Sequence, residues 1–220
     1  MVLKHMLTTS LLLALFAVAG TSMVALTYDS TAARIANNDY QALLKSLHAL
    51  VPPESHDNNI ATDTVTVTSK ALLGSKKPST VYLARLKGIP IAAVITAVAP
   101  DGYNGAIKLL VAIRYNGTIS GVRILNHRET PGLGDGIEIE RSDWITGFNN
   151  LSLQSPDELG WRVKKDGGIF DQFTGATVTP RAVVKSVHHA LLYFEQHRDE
   201  LFKTDHGEIP TATQATENGQ

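Results

Sequence analysis

The sequence predicts an α+β protein, in which an N-terminal transmembrane helix precedes an exported domain with an antiparallel sheet flanked by helices. The first observation is an uncharged segment over residues 6–28. The second is a series of short β-rich segments, separated by turn residues, over residues 62–125. The third is a helical repeat of apolar residues that ends near Lys203. A chain of 220 residues suffices for one globular domain with accessory segments.

The N-terminal segment is long enough to span a bilayer. As a helix, residues 6–28 extend about 34 Å, compared with a hydrocarbon core of about 30 Å. We therefore predict a cytoplasmic N-terminus (residues 1–6) and a transmembrane helix (residues 7–28), because Lys4 puts the positive flank inside. A cleaved signal peptide is the alternative, since Ala17-Val18-Ala19 resembles a cleavage site, although the uncharged run exceeds the usual core of about 7–15 residues. Both interpretations export the rest of the chain.

The next segment predicts an amphipathic helix and a linker (residues 29–60). Apolar residues recur at helical spacing from Ile35 to Leu50. We expect this helix to end at Val51-Pro52-Pro53, because proline disfavours the helical conformation in the residue before it.

The β-rich region predicts an antiparallel meander. Asn116-Gly117 lies between two β-rich runs and is a strong hairpin signal, because both residue types tolerate positive φ. Lys87-Gly88 predicts another tight turn, and Gly121 predicts a bulge or a close backbone approach. The predicted strands are Thr62–Thr68, Thr80–Leu86, Ile89–Val98, Ile107–Tyr115 and Thr118–Leu125.

Two short elements and a long helix follow. The stretch Ile137–Phe148 predicts a short helix around Trp144, and Trp161–Lys165 predicts another strand. Thr179-Pro180 predicts the start of the long helix, with the threonine as N-cap and the proline at the first helical position. We expect residues 206–220 to be disordered, because the tail is poor in large apolar residues.

The segment before the long helix has the features of an anion site. Thr177 lies just upstream of the helix start, where unpaired N–H groups and the positive end of the helix dipole favour a phosphate. Residues 126–136 form a glycine-rich loop whose backbone can approach a ligand closely. A simple capped helix start is the commoner explanation, so this pattern alone leaves both interpretations open.

Composition and spacing exclude several kinds of chemistry. The chain has no cysteine, which excludes disulfides, thiolate metal sites, iron–sulfur clusters held by this chain and cysteinyl flavin links. A formal net charge of −1 without a basic face gives no reason to expect nucleic acid. His188 and His189 lie too far along their helix from His197 to share a metal ion with it. No nucleophile elbow supports Ser/His/Asp catalysis, and the acidic residues from Asp135 to Asp143 lack regular ligand spacing, so we predict neither catalytic residues nor a metal site.

Three motifs in a fixed order are much more specific. They are Gly102-Tyr103-x-Gly105, His127-x-Glu-Thr-Pro-Gly-Leu-Gly134 and Asp171-x-x-Thr-Gly-Ala-Thr177. Together they resemble the covalent FMN-binding domain family, which places the FMN-binding domain at residues 61–205. With one N-terminal span, the arrangement is similar to the family of G subunits of Rnf/Rsx ion-translocating electron transport complexes, over roughly residues 7–205.

The resemblance implies a role for each matching residue. Thr177 matches the residue that carries FMN through a phosphoester. A flavin transferase recognises the residues that match Asp171, Thr174, Gly175 and Ala176. The loop that lies against the flavin in this family matches Glu129, Thr130 and Leu133. Aromatic residues suited to stacking on the flavin ring are Tyr103, Trp144 and Trp161.

The resemblance also implies a function. One covalent FMN per chain relays electrons in a complex that couples ferredoxin and NAD redox chemistry to ion transport, without an independent substrate. The expected partners are other membrane subunits and the flavin transferase. The expected location is the bacterial inner membrane, with the flavin domain on the periplasmic side. Two alternatives are the C subunit of the sodium-pumping NADH:quinone oxidoreductase, which shares the motifs, and a non-redox exported binding module.

Overall fold

The computed structural model describes residues 2–203, so the tail predicted to be disordered lies outside the described residues. The chain divides into two compact units, one up to Lys45 and one from Ser46 onward. The second unit contains an antiparallel sheet with helices, and the predicted α+β class is therefore confirmed.

Helix α1 runs without interruption from Val2 to Leu50 and is long and apolar enough to cross a membrane. The threonines of its apolar part donate their hydroxyls to the carbonyl oxygen four residues earlier, as in Thr8 to Lys4 (2.8 Å) and Thr21 to Ala17 (2.7 Å). These bonds satisfy hydroxyl groups that would find no hydrogen-bond partner in the hydrocarbon core of a membrane. The helix ends before Pro52, as the sequence predicts. The predicted segment boundaries at residues 28 and 60 stay predictions.

The sheet contains five strands in the order β1-β2-β3-β4-β5, and every neighbouring pair is antiparallel. This is the predicted meander. The strands are β1 (Thr64–Val67), β2 (Ser79–Leu86), β3 (Ile89–Ala99), β4 (Ile107–Arg114) and β5 (Ile119–Asn126).

Both predicted hairpin turns are present. Lys87 and Gly88 have φ of 53° and 77°, in the left-handed region that joins β2 to β3. Between β4 and β5, Gly117 has φ of 86° and the Arg114 N–H donates to the Thr118 carbonyl at 2.8 Å. The glycine allows the chain to reverse there without the penalty that a Cβ would impose.

Gly121 marks both features that the sequence predicts for it. Ala112 pairs with Gly121 and Ile113 with Ile119, so the residue between them, Ser120, forms a bulge. A Cβ on Gly121 would lie 2.9 Å from Leu50 Cδ2, which shows how closely the end of α1 approaches β5. The Ser120 hydroxyl donates to the Leu50 carbonyl at 2.7 Å. Glycine at this position therefore allows the last turn of α1 to pack on the sheet.

Within the described residues, two further α-helices accompany the sheet of the second unit. The short helix α2 spans Lys70–Leu73, and α3 spans Val178–Lys203, the last described residue, so the predicted end of the long helix stays a prediction. Helix α3 packs on β3 and β4 through an apolar face. Its buried apolar residues recur at the predicted helical spacing and include Val183, Val184, Val187, Leu191, Phe194 and Leu201.

A cluster of aromatic rings extends the core beneath the irregular segments. Phe148 is fully buried and stacks on Phe170, with ring centroids 4.6 Å apart. It ends the 3-10 helix Asp143–Phe148, which confirms the short helix predicted around Trp144. The strand predicted at Trp161–Lys165 is wrong, because Lys164–Asp166 forms a 3-10 helix and only Val163 makes a β-bridge, to Phe170.

We expect Phe148→Ala to destabilise the second unit by about 3–5 kcal/mol, because it leaves a cavity among packed rings. Chemical denaturation of the detergent-solubilised chain, followed by tryptophan fluorescence, measures this loss. Leu159→Ala is the matched control, since Leu159 is 61% exposed, and its effect should stay within about 0.5 kcal/mol. Equal effects of the two changes would contradict the assignment of Phe148 to the core.

The imidazole of His188 stacks on Trp161 with ring centroids 5.1 Å apart. Burial, and secondarily the nearby His189, lower the pKa of His188 from its ordinary value of 6.5. The unfolded chain therefore takes up this proton more readily, so the stability is fully present above about pH 6.5 and decreases as the pH falls towards the folded pKa. We expect Tm to fall between about pH 7.5 and pH 5, and His188→Phe to reduce that fall. An unchanged fall would contradict this origin.

Candidate functional site

The segment with the Asp171–Thr177 motif forms a tight turn before α3. The Ala176 N–H donates to the Phe173 carbonyl at 3.1 Å, which closes the turn around Thr174 and Gly175. Gly175 has φ of 79°, a conformation that favours glycine at this turn position. Thr174 and Gly175 are exposed. The tip of the turn is therefore exposed to solvent, and the hydrogen bond between Ala176 and Phe173 fixes its backbone.

Thr177 is the N-cap residue of α3. The helix begins at Val178, and the Arg181 N–H donates to the Thr177 carbonyl at 3.3 Å. The prediction that Thr179 is the N-cap and Pro180 the first helical residue is therefore wrong. Pro180 lies at the third helical position, which is still within the first turn, where a missing N–H is tolerated. The N–H groups of Val178 and Thr179 precede the first intrahelical bond and lie at the positive end of the helix dipole.

Thr179 points into the protein instead of capping the helix. Its side chain is fully buried, and its hydroxyl donates to Oε2 of Glu129, which is 4% exposed. The other oxygen of this carboxylate, Oε1, accepts the backbone N–H of Asn104 at 3.1 Å. The buried carboxylate of Glu129 therefore joins three segments that lie far apart in the sequence.

Two motif glycines leave the space that this carboxylate occupies. A Cβ on Gly134 would lie 2.9 Å from Oε2 of Glu129 and 3.0 Å from Oγ1 of Thr179. A Cβ on Gly102 would lie 3.0 Å from Oε1 of Glu129 and 2.3 Å from the Gly105 carbonyl. A side chain at either glycine would crowd the Glu129 carboxylate, so the role of the two glycines is steric.

The loop after Glu129 folds onto itself and reaches the turn of the last motif. The Thr130 carbonyl accepts the N–H groups of Leu133 (3.1 Å) and Gly134 (3.0 Å). Leu133 is 47% exposed, and a Cβ on Gly175 would be 3.6 Å from its Cδ2. The structure thus brings the predicted residues Leu133 and Gly175 together at the surface, with Glu129 buried behind them and Thr130 half-buried.

His127 fixes the backbone at the start of this loop. Its Nδ1 accepts the Glu129 N–H at 3.0 Å, and its Nε2 lies 2.8 Å from Oε1 of Glu138. Because Nδ1 accepts a hydrogen bond, the proton of the neutral ring is on Nε2, which donates to Glu138.

Asp171 is held at both its side chain and its backbone. Its carboxylate pairs with Lys164 Nζ at 2.6 Å, where both groups are exposed. Its carbonyl accepts the indole N–H of Trp144 at 2.7 Å, and Trp144 also packs on Phe173 with centroids 5.3 Å apart. Of the three aromatic residues proposed to stack on a flavin, Trp161 is buried in the core, while Tyr103 is exposed.

The basic side chain nearest the helix start is also paired. Arg181 makes two hydrogen bonds to Asp166, at 2.7 and 3.0 Å. These two hydrogen bonds lower the pKa of Asp166 and raise the pKa of Arg181. Arg181 is thus held by a carboxylate, whereas the backbone N–H groups of the first turn are donors for an anion at Thr177.

Comparison with known proteins gives the family. Residues 102–192 match the FMN-binding domain, and residues 1–50 match the RnfG N-terminal region. A protein of Pseudomonas aeruginosa (strain UCBPP-PA14), named as the G subunit of the ion-translocating oxidoreductase complex, is 50% identical over 198 residues, 90% of this chain and 92% of that protein. Proteins of the same name from Pseudoalteromonas atlantica (50% identical, 87% of this chain, 89% of that protein) and Shewanella oneidensis (48%, 90% and 93%) also match.

The chain belongs to the RnfG family, the G subunits of ion-translocating oxidoreductase complexes. The predicted resemblance is therefore confirmed, and the chain carries an FMN-binding domain. The residues present fit FMN, because Thr177 offers a hydroxyl at a helix start with unpaired N–H groups for a phosphate. Thr177 is partly exposed, and Gly175, two residues earlier, is exposed.

Sequence reasoning missed part of the site in this RnfG-family chain. It did not identify Thr179 or Asn104 as partners of Glu129, because nothing in a local pattern specifies contacts across 50 or 25 residues. The one signal for these partners was Glu129 itself, because a motif carboxylate that becomes buried requires hydrogen-bond donors. It also did not identify Trp144 as the donor to Asp171.

We expect Trp144→Phe to loosen the segment at Asp171, because it keeps a ring beside Phe173 and removes the indole N–H. The loss of one hydrogen bond is worth about 0.5–1.5 kcal/mol, so amide hydrogen exchange in the peptide around Asp171 should become faster. Trp161→Phe is the matched control, since the buried Trp161 N–H has no hydrogen-bond partner within residues 2–203. The prediction is contradicted if both variants change the exchange of this peptide equally.

Proposed function

We propose that this RnfG-family chain is a membrane-anchored flavoprotein that carries FMN through a phosphoester to Thr177 and relays electrons within an ion-translocating ferredoxin/NAD oxidoreductase complex. The observation that supports this most directly is the position of Thr177, a partly exposed N-cap residue with two helical N–H groups beside it. A phosphate there gains from the helix dipole, by about 0.3–1 kcal/mol in an exposed setting.

Three threonines compete for this role, and their surroundings favour Thr177. Thr179 is fully buried and its hydroxyl is used by Glu129. Thr174 is exposed, but it lies in the turn before the helix and not at the helix start. Thr177 combines access for a modifying enzyme with donors for the phosphate that remains.

The attachment needs an activated flavin donor, because joining FMN itself to an alcohol would have to expel water. In the proposed step, Thr177 Oγ1 forms a bond to the phosphorus of a flavin dinucleotide while its phosphoanhydride bond breaks. A nucleoside monophosphate leaves with the bonding electron pair, and the hydroxyl proton passes to a base of the flavin transferase. Asp171, Thr174, Gly175 and Ala176 are the proposed recognition residues on this exposed segment.

The protein's own contribution is position and retention. When bound, FMN supplies the capacity to accept and donate electrons. The phosphoester leaves the ring free and prevents loss of the cofactor outside the cytoplasm. Leu133, which lies next to the turn, and Thr130 are the proposed contacts of the flavin, and Glu129 is buried behind them.

The proposed location is the bacterial inner membrane, with a single span and the flavin domain on the periplasmic side. Helix α1 is long and apolar enough to anchor the chain, and Lys4 favours a cytoplasmic N-terminus. The proposed partners are the other membrane subunits, in keeping with the names of the relatives. Those names, at about half identity, also favour this complex over the sodium-pumping one.

Thr177→Val is the sharpest test, because valine keeps the shape of the side chain and removes the oxygen. Co-expressed with a flavin transferase, the wild-type chain should gain one FMN-sized mass increment and a fluorescent band after denaturing electrophoresis, and Thr177→Val should have neither. Thr66→Val is the control, because Thr66 is an exposed threonine of β1 outside the motif, and it should keep an increment, which peptide mapping places on Thr177. If Thr177→Val keeps the increment, the attachment residue is wrong. If wild type gains none, the flavin carrier itself is contradicted, and a non-redox module is favoured.

A further inference from the structure

We propose that Glu129 and Thr179 form a positioning lock, which holds the start of α3 against the 129–134 loop and thereby fixes the surroundings of Thr177. Neither residue is proposed to react. This role rests on the proposed function of Thr177, but the lock itself is a property of the folded chain. Its members are Glu129 Oε1 and Oε2, the Thr179 hydroxyl and the Asn104 N–H.

The burial of Glu129 makes the lock depend on its two hydrogen-bond donors. A carboxylate that is 4% exposed has lost nearly all its water, so each oxygen depends on the protein for a donor. Oε1 has the Asn104 N–H, and Oε2 has the Thr179 hydroxyl. Removing one donor leaves a buried oxygen unpaired, which costs more than the bond itself contributes.

The lock connects three segments that lie far apart in the sequence. Asn104 lies between β3 and β4, Glu129 follows β5, and Thr179 is the second residue of α3. Thr177 is two residues from Thr179, and Leu133 is four residues from Glu129, so the lock determines how Thr177 and Leu133 face each other. At the surface, the lock accounts for the proximity of Leu133 Cδ2 to Gly175.

The two nearby threonines therefore have distinct functions. Thr177 is partly exposed, as attachment requires, while Thr179 donates its hydroxyl to the buried carboxylate. The glycines at 102 and 134 keep the space for this bond. Attachment of FMN requires an accessible Thr177 and the exposed recognition segment before it, so loss of the lock should leave attachment possible and change the surroundings of the attached flavin.

The test compares Thr179→Val, Thr179→Ser and Ser186→Ala in the full-length, detergent-solubilised chain after co-expression with a flavin transferase. Valine keeps the shape of Thr179 without the hydroxyl, and serine restores the hydroxyl. Ser186→Ala is the matched control, because Ser186 is buried on the same helix and its hydroxyl has no hydrogen-bond partner within residues 2–203. The readouts are mass increment, amide hydrogen exchange by mass spectrometry, and quenching of flavin fluorescence by iodide.

We expect Thr179→Val to carry the FMN increment, yet to exchange faster by about tenfold or more in the peptides that contain residues 102–105 and 129–134. Iodide should quench its flavin more strongly than that of wild type. Exchange in β1 and β2 should not change. Thr179→Ser should restore both readouts, and Ser186→Ala should match wild type.

The outcomes separate the lock from the proposed function. If Thr179→Val exchanges and quenches like wild type, or if Thr179→Ser fails to restore both, the lock is wrong. If wild type carries no FMN increment, the proposed function fails while the exchange data still test the lock. If Thr179→Val does not fold, Glu129→Gln takes its place, because glutamine keeps the shape of the side chain and one acceptor oxygen. Glu129→Gln should increase the exchange of the same peptides, by less than is expected for Thr179→Val. No increase in exchange would overturn the lock.

Discussion

The site depends on one buried carboxylate. Glu129 is removed from water and accepts hydrogen bonds from the Asn104 N–H and the Thr179 hydroxyl. Because an unpaired buried charge is costly, the segments that supply these donors must approach each other whenever the domain is folded. The helix start at Val178 and the loop up to Gly134 take their positions from this constraint.

The constraint explains why the motifs contain glycine at fixed places. Gly102 and Gly134 make room for the carboxylate, and Gly175 permits the turn that precedes Thr177. The threonines and glycines of the motifs thus divide into two groups. One group builds the buried support, and the other presents an exposed hydroxyl at a helix N-terminus, where a phosphate is favourable.

Much of the fold could be predicted because its signals are local. Turn residues such as Gly88 and Gly117 determine the hairpins, and the apolar repeat indicates the buried face of α3. The start of α3 was misplaced because proline is tolerated throughout the first turn, so Pro180 does not specify which threonine caps the helix. The partner of Glu129 lies 50 residues away, and no periodicity encodes such a contact.

The two tryptophans of the chain have different surroundings, with a consequence for spectroscopy. Trp144 donates its indole N–H to Asp171 beside the turn, whereas Trp161 is buried between Phe170 and His188. Their emission therefore divides into one signal from the edge of the site and one from the interior of the domain. A collisional quencher reaches the partly exposed Trp144 more readily than the buried Trp161, so changes beside the turn are observable without an added label.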